Sequence, residues 1–324
     1  MIMQAVVHHQ YGPPEVLSVA DVPRPTPQSD EVLVRVHAAG LNRTDTGFRI
    51  GTPIIVRYFS GLRRPKLAIL GTELAGVVVA VGSEVTKFAV GDRVFGVHAN
   101  KFGTHAEYVC IKQSAPLATM PQNMSFVEGA GVCDGMILAL NYIRKVDLGP
   151  THRILIYGSS GAIGTAAVQL ARHAGAHGTA VCATKNLELM KVLGADGVID
   201  YTITDFTSTG QTYDFVLDAV GKHSYRRCRR ALVKRGAYMS TDLGFMSQNP
   251  FLVLATRWLP VKKVLFPIPP YRQADVELLK QMYEAGQYRA VIDRTYPLGD
   301  VVEATKYVES EQKTGNVVLI VHPD

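Results

Sequence analysis

The sequence predicts an α/β chain in two parts, one β-rich and built of short strands, the other a doubly wound parallel sheet. Three observations predict it. Residues 1 to about 124 carry short runs punctuated by Gly, Pro and Asp, and residues from about 126 to 265 alternate strand and helix. The first strand of that alternation runs directly into a glycine loop. At 324 residues the chain is long for one domain and comfortable for two. With 47% apolar residues it can bury a sizeable core, which excludes disorder.

In the first part, Glu31–His37 alternates apolar and polar residues, the period of a half-buried strand. Val77–Val81 ends at the turn Gly82-Ser83, Gly91-Asp92 precedes the strand Arg93–Val97, and Ala106–Ile111 makes another. Prolines 13, 14, 23, 25 and 27 mark early loops. Short strands with such turns predict a compact, barrel-like arrangement. In the second part, Arg153–Tyr157 is a short apolar strand ending in glycines. Thr165–His173 has helical spacing through Ala167, Leu170 and Ala171 and stops at Gly175. A strand at Thr179–Ala183, a helix at Leu187–Leu193, and strands at Val198-Ile199 and Phe215–Asp218 follow. This alternation implies βαβ units and a parallel sheet. The tail predicts helices near Ala274–Ala285 and Asp300–Ser310 and a last strand at Val317–Val321.

Composition excludes several classes. The balance of 34 basic and 28 acidic residues gives +6, mildly basic and well short of a polycation. Cys110, Cys133, Cys182 and Cys228 are too scattered for a zinc lobe, a CxxC pair or a disulfide framework. A reducing compartment fits, and a cytoplasmic location is expected. MIMQAVVHHQ has no basic stretch followed by an apolar core, so no signal peptide is expected. The most apolar stretch, Phe251–Pro267, is broken by Arg257, Pro260, Lys262 and Lys263. It cannot supply the roughly 18 uninterrupted apolar residues of a membrane span, so no membrane partner is expected.

Gly158-Ser-Ser-Gly161-Ala162-Ile163-Gly164 sits where a strand ends and a helix begins. Glycines there allow a tight turn and close approach to a pyrophosphate, which the loop N–H groups and the helix dipole then face. A bare structural turn is the alternative, and the strand-loop-helix setting favours a dinucleotide. Ser160 belongs to the same loop. An NAD-preferring site usually ends its second strand with Asp or Glu. Here that strand ends Cys182-Ala183-Thr184-Lys185-Asn186, a hydroxyl, a cation and an amide with no carboxylate. Those donors suit a 2′-phosphate, so NADPH is expected. The alternative is that Thr184 caps the helix at Leu187 and Lys185 is solvated. Tyr201, after the third strand, either packs near the adenosine or is a surface tyrosine.

Taken in order, these motifs resemble the medium-chain dehydrogenase/reductase superfamily, in its zinc-free, quinone-oxidoreductase-like branch. The resemblance rests on Gly40–Asp45, Arg49-Ile-Gly51, Gly71–Val77, Gly91–Gly96 and the glycine loop. Leu193–Asp196, Ile199–Tyr201, Leu217–Gly221 and Lys313–Val317 complete it, so it covers nearly the whole chain. It implies a GroES-like catalytic domain from residues 1–124 and 266–324 and a Rossmann domain from 125–265, with a cleft where they meet. It also implies cofactor contacts at Val220, at Leu243-Gly244 and at Asn316.

Zinc-dependent relatives carry ligands where this chain has Asn42 and Thr72, and the third position holds Cys133. One thiolate makes a poor tetrahedral site, so no zinc is expected. Cys133 also reads as a small buried hydrophobe. Without a Lewis acid, an electron-poor acceptor suits a nicotinamide hydride, and quinones, enals and enones are such acceptors. The loop with Asn42 and Asp45 lines the cleft in the family. Asn42 is expected as the polar contact to cofactor or substrate oxygen. Thr44 takes the place of a relay hydroxyl in zinc-dependent relatives, and Asp45 reads as structural, fixing Arg49 by an ion pair.

Residues 52–66, with Arg57, Tyr58, Phe59, Arg63 and Arg64, read either as a cover over the cleft or as a solvated excursion. Seven cations between Lys222 and Arg235 suit a polyanion, but the spacing of Tyr225, Cys228, Ala231 and Leu232 suits an amphipathic helix with its arginines in water. No nucleic acid partner is expected, because aromatic interleaving is sparse. Val261–Phe266 reads as an apolar edge strand, which the resemblance would place in a homodimer. The leading reading is an NADPH-dependent, zinc-free reductase of quinones or activated alkenes. An alcohol dehydrogenase holding zinc through Cys133 and Glu73, and an NADPH-binding redox sensor or nucleic-acid-binding module without turnover, stand as alternatives.

Overall fold

The computed structural model describes residues 1–323 apart from 99–100, 243–247, 258–261 and 268–269. In chain order the elements begin β1 (Ile2–Val7), β2 (Ser18–Pro23), β3 (Glu31–Leu41), α1 (Arg43–Ile50), α2 (Ile55–Ser60), β4 (Glu73–Val81), β5 (Arg93–Val97), β6 (Tyr108–Lys112) and β7 (Leu117–Thr119). Next come α3 (Phe126–Ala130), α4 (Cys133–Lys145), β8 (Arg153–Tyr157), α5 (Ala162–His173), β9 (His177–Cys182), α6 (Leu187–Leu193), β10 (Gly197–Asp200) and β11 (Tyr213–Asp218). The chain closes with α7 (Tyr225–Cys228), β12 (Leu232–Ser240), α8 (Gln248–Arg257), β13 (Lys263–Leu265), α9 (Gln273–Glu284), β14 (Ile292–Pro297), α10 (Val301–Glu309) and β15 (Asn316–Ile320). These fall into two compact units, Met1–Asp134 with Tyr271–Asp324, and Gly135–Pro270.

β3 organises the first unit. One of its edges pairs with β4, and the other pairs with β6 at the start and β15 at the end. The sheet runs β14-β15-β3-β4-β5-β7 with β6 on β3, and β1 and β2 form a separate antiparallel pair. Val32, Val34 and Val36, alternate residues of β3, share a core with Leu74, Val78, Val94, Ile111 and Leu117. A second core joins Leu41, Val317 and Leu319 to Leu298, Val301 and Val308. The register sets Ala39 opposite Leu74 and Leu41 opposite Val317. Residue 42, residues 72–73 and residues 313–316 therefore leave the sheet at the same end.

In the second unit a six-stranded parallel sheet has the order β10-β9-β8-β11-β12-β13. The order reverses between β8 and β11, the switch point at which doubly wound sheets bind ligands. Both faces are covered, so the strands read as unbroken apolar runs: Ile154, Leu155 and Ile156 of β8 are all fully buried. The arginine-rich stretch departs in part from the expected amphipathic helix. α7 stops at Cys228, a 3-10 turn covers Arg229–Ala231, and β12 begins at Leu232. Pairing of Leu232 with Tyr213 captures that residue for the sheet. Cys228, Ala231 and Leu232 still face inward, and Arg226, Arg227, Arg229 and Arg230 are exposed.

Candidate active site

In the first unit the converging sheet end gathers polar side chains that an apolar core would otherwise exclude. Asn42 follows β3 and caps α1, its Oδ1 accepting from Thr44 N at 2.8 Å and Asp45 N at 3.4 Å. Its Nδ2 then stands among three oxygens, 3.5 Å from Thr72 Oγ1, 3.4 Å from Glu73 Oε2 and 3.3 Å from Asp134 Oδ2. These contacts are long, so the amide protons are not consumed by one tight bond. Asp134 N donates to Glu73 Oε1 at 2.8 Å, and Tyr271 OH donates to Asp134 Oδ1 at 2.6 Å.

Gly40 makes room for this arrangement. A Cβ there would lie 2.7 Å from Glu73 Oε2 and 2.7 Å from Ala130 O. Burial raises the Glu73 carboxyl well above the ordinary carboxylate range, and the Asp134 charge adds to it. Burial raises Asp134 as well, and the Tyr271 hydroxyl opposes it. Burial lowers the Lys313 ammonium to about 8, against the pull of Glu73 and Asp293. Lys313 Nζ donates to Gly315 O at 2.6 Å. The cluster thus holds two carboxyl groups that burial biases toward the protonated form and an amine that burial biases toward the neutral form.

Thr44 is exposed at the first turn of α1. Asp45 is buried, and its carboxylate accepts from Asn42 N at 3.0 Å and Gly71 N at 2.9 Å. It therefore ties two chain segments together, as a structural residue. The expected ion pair to Arg49 is replaced: Arg49 pairs with Glu309 of α10 and donates to Gly12 O. The reason is local, since Asp45 is already committed to backbone N–H groups. Asn316 Nδ2 donates to Val291 O at 3.2 Å. Cys133 is fully buried, and burial holds its thiol well above its usual range, which disfavours a thiolate ligand. Among the described residues no group of three or more His, Cys, Asp or Glu is placed to hold a metal ion.

In the second unit the glycine loop joins β8 to α5. Gly158 has φ +72°, and a Cβ there would meet Val220 Cγ1 at 2.6 Å. At Gly164 a Cβ would meet Gly158 O at 2.2 Å, so that glycine lets the helix pack on the strand. At Gly161, the N-cap of α5, a Cβ would meet only Gly158 O, at 3.7 Å. That side of the loop is open, which fits a pyrophosphate against the first N–H groups of α5, those of Ala162 and Ile163. Ser159 turns its hydroxyl to Val181 O, whereas Ser160 is half-buried.

The corner beyond β9 differs from expectation. Thr184 Oγ1 donates to Asp200 Oδ2, and Asp200 also accepts from Thr202 N at 2.9 Å. Hydrogen bonds from Thr184 and Thr202 hold Asp200 below the usual carboxylate range. No carboxylate ends the second strand, but the last residue of the third supplies one beside it. Lys185 is exposed, and Asn186 is buried beneath the turn. Tyr201 is half exposed, with its ring 6.1 Å from that of Tyr157. Val220 N donates to Asp218 Oδ1 at 3.2 Å. Leu243 and Gly244 lie outside the described residues.

Sequence reasoning alone did not single out Asp134, Tyr271 or Lys313, and it weighed Glu73 only as a metal ligand. A signal existed: Asp134 stands in the apolar run Val132–Leu140, where a charge is costly unless partnered.

Residues 28–122 match the alcohol dehydrogenase GroES-like domain, and residues 193–319 match a family described as zinc-binding dehydrogenase. The chain is 31% identical to the NADPH-dependent alkenal/one oxidoreductase, chloroplastic, of Arabidopsis thaliana, over 98% of this chain and 79% of that protein. It is 31% identical to the quinone-oxidoreductase homolog, chloroplastic, of Spinacia oleracea, over 98% of both. In fold it is similar to the quinone oxidoreductase from Coxiella burnetii, with a TM-score of 0.89 and 24% identity over 99% of this chain and 100% of that one.

Proposed function

Because the chain belongs to the medium-chain dehydrogenase/reductase superfamily, in its quinone-oxidoreductase-like branch, we propose that it reduces a quinone or an α,β-unsaturated carbonyl with NADPH and without zinc. The observation that carries this is the Asn42 amide, a neutral donor standing where zinc-dependent relatives hold a ligand. Relatives named as alkenal/one and quinone reductases support the acceptor class. The open glycine loop supports the dinucleotide.

NADPH, when bound, supplies the hydride. Gly158, Gly161 and Gly164 with the first N–H groups of α5 hold its pyrophosphate, and Thr184, Lys185 and Tyr201 frame the adenosine end. Asn42 Nδ2 donates to the substrate oxygen as negative charge grows there, and its protons are available because its bonds to Thr72, Glu73 and Asp134 are long. Glu73 and Asp134 hold a proton at their carboxyl oxygens in a buried setting. Tyr271 orients the Asp134 carboxyl, and Lys313 offsets charge when the pair ionises. β13 ends the parallel sheet, and we assign its open edge to a homodimer contact. Four free cysteines, three of them buried, fit the reducing cytoplasm.

The test is nicotinamide oxidation by chelator-treated protein across quinones, enals and enones, with NADPH and NADH compared. Turnover with NADPH in chelator is expected. Activity that disappears with the chelator and returns with zinc overturns the reading, as does NADPH binding without turnover on any acceptor.

A further inference from the structure

The segment between α1 and β4 carries a surface of exposed apolar and basic side chains. No carboxylate occurs between Asp45 and Glu73, yet Arg49, Arg57, Arg63, Arg64 and Lys66 all do. Arg49 is buried against Glu309, and Arg57 lies over the Tyr11 ring at 4.7 Å. Arg63, Arg64 and Lys66 are exposed, and none is ion-paired among the described residues. Beside them stand Ile54, Tyr58, Phe59 and Leu62, exposed by 74%, 73%, 75% and 63%. Ile54, the N-cap of α2 with helical backbone angles, and Tyr58 are four residues apart and so lie on one side of that turn.

This is not a loose excursion. Tyr11 OH bonds Ser60 Oγ at 2.7 Å and donates to Gly61 O at 2.5 Å. Ser60 is itself buried and donates to Val56 O at 3.0 Å, and Lys66 N donates to Ser60 O at 2.6 Å. The fold thus fixes from beneath a segment whose outer side is apolar and cationic. Large apolar side chains displayed together mark a contact surface. With cations around them and no acid in the segment, the complementary surface is one of negative head groups above hydrocarbon.

We propose that residues 54–66 dock the protein on an anionic phospholipid surface. Ile54, Tyr58, Phe59 and Leu62 enter the head-group boundary, and Arg63, Arg64 and Lys66 meet lipid phosphates. Among the described residues no helix is long and apolar enough to cross a bilayer. The expectation of no membrane partner rested on the missing span, and this surface revises it. A second copy of the chain fits less well, because a two-fold contact would set cation against cation.

The full chain is sedimented with phosphatidylcholine vesicles, either plain or with about a third phosphatidylglycerol. Binding is expected on the anionic vesicles, at least ~10-fold weaker on plain ones, and reduced by salt. The pair Arg63→Glu with Arg64→Glu and the pair Tyr58→Ser with Phe59→Ser should each weaken it by ~10-fold or more. Arg63→Lys with Arg64→Lys should retain it. Melting temperatures confirm that each variant folds. No vesicle binding, equal binding to both vesicles, or wild-type binding by both disruptive pairs overturns the proposal. A dimer in light scattering that Tyr58→Ser with Phe59→Ser dissociates, without vesicle binding, gives the surface to a second copy instead.

Discussion

The main-chain N–H of Asp134 donates to Glu73 Oε1 at 2.8 Å, so the first turn of α4 is fastened to the first residue of β4. That bond brings two carboxyl groups to the same neutral amide, Asn42, from segments far apart in the chain. Burial favours the protonated forms of both.

Removing the Asn42 donor should reduce catalysis. Asn42→Ala is expected to lower kcat/KM on the order of 100-fold, with about 1 kcal/mol of stability lost with the α1 cap. Asn42→Ser keeps a capping oxygen but cannot reach as far, so it should recover most stability and little activity. Steady-state kinetics beside urea unfolding decide the matter. Full activity in Asn42→Ala would remove the residue from the chemistry.

Lys313 makes stability depend on alkaline pH. Its folded value, about 8, lies below its ordinary 10.5, so the folded state binds fewer protons between these values. The cost of burying the charged ammonium is present in full below about pH 8 and is relieved as pH rises toward 10.5. Lys313→Met lacks that titration. Wild type should therefore gain on the order of 1–3 kcal/mol relative to Lys313→Met across this window. Parallel pH profiles of urea unfolding would show the depressed value to be wrong.

Asp200 places a carboxylate beside Thr184, the residue proposed above to frame the adenosine end of NADPH. Asp200→Asn should lower KM for NADPH about 3- to 10-fold while leaving KM for NADH nearly unchanged. Equal effects on both cofactors would mean that Asp200 only holds the turn.

At Gly40 even one methyl group collides with Glu73 Oε2 and Ala130 O. Gly40→Ala should cost about 1–3 kcal/mol by forced displacement of the Glu73 carboxylate, with kcat falling as well. Thermal unfolding and kinetics of the variant test this, and an unaltered protein would show that the carboxylate has room to move.

The parallel sheet was legible because buried strands announce themselves as short apolar runs, as at Ile154–Ile156, and because the glycines between Gly158 and Gly164 mark the turn into α5. The family motifs located Asn42. The carboxyl pair was hidden because Glu73, Asp134, Tyr271 and Lys313 meet only through the β3–β4 and β3–β15 registers and the start of α4. Asp200 was hidden in the same way: it reaches Thr184 because β10 lies against β9, with Asp200 opposite Cys182. Residues 222–235 misled because inward residues at helical spacing also suit a short turn followed by a strand.

The last strand of the chain closes on one of the first. β15 covers the edge of β3 at Ala38–Leu41, so that edge stays open during synthesis until residues 316–320 have left the ribosome. Every strand of the parallel sheet lies between residues 153 and 265, so that sheet has all its partners much sooner. The nascent protein therefore completes its parallel sheet while its other unit still exposes an unpaired edge. That interval is when misassociation between chains threatens it most.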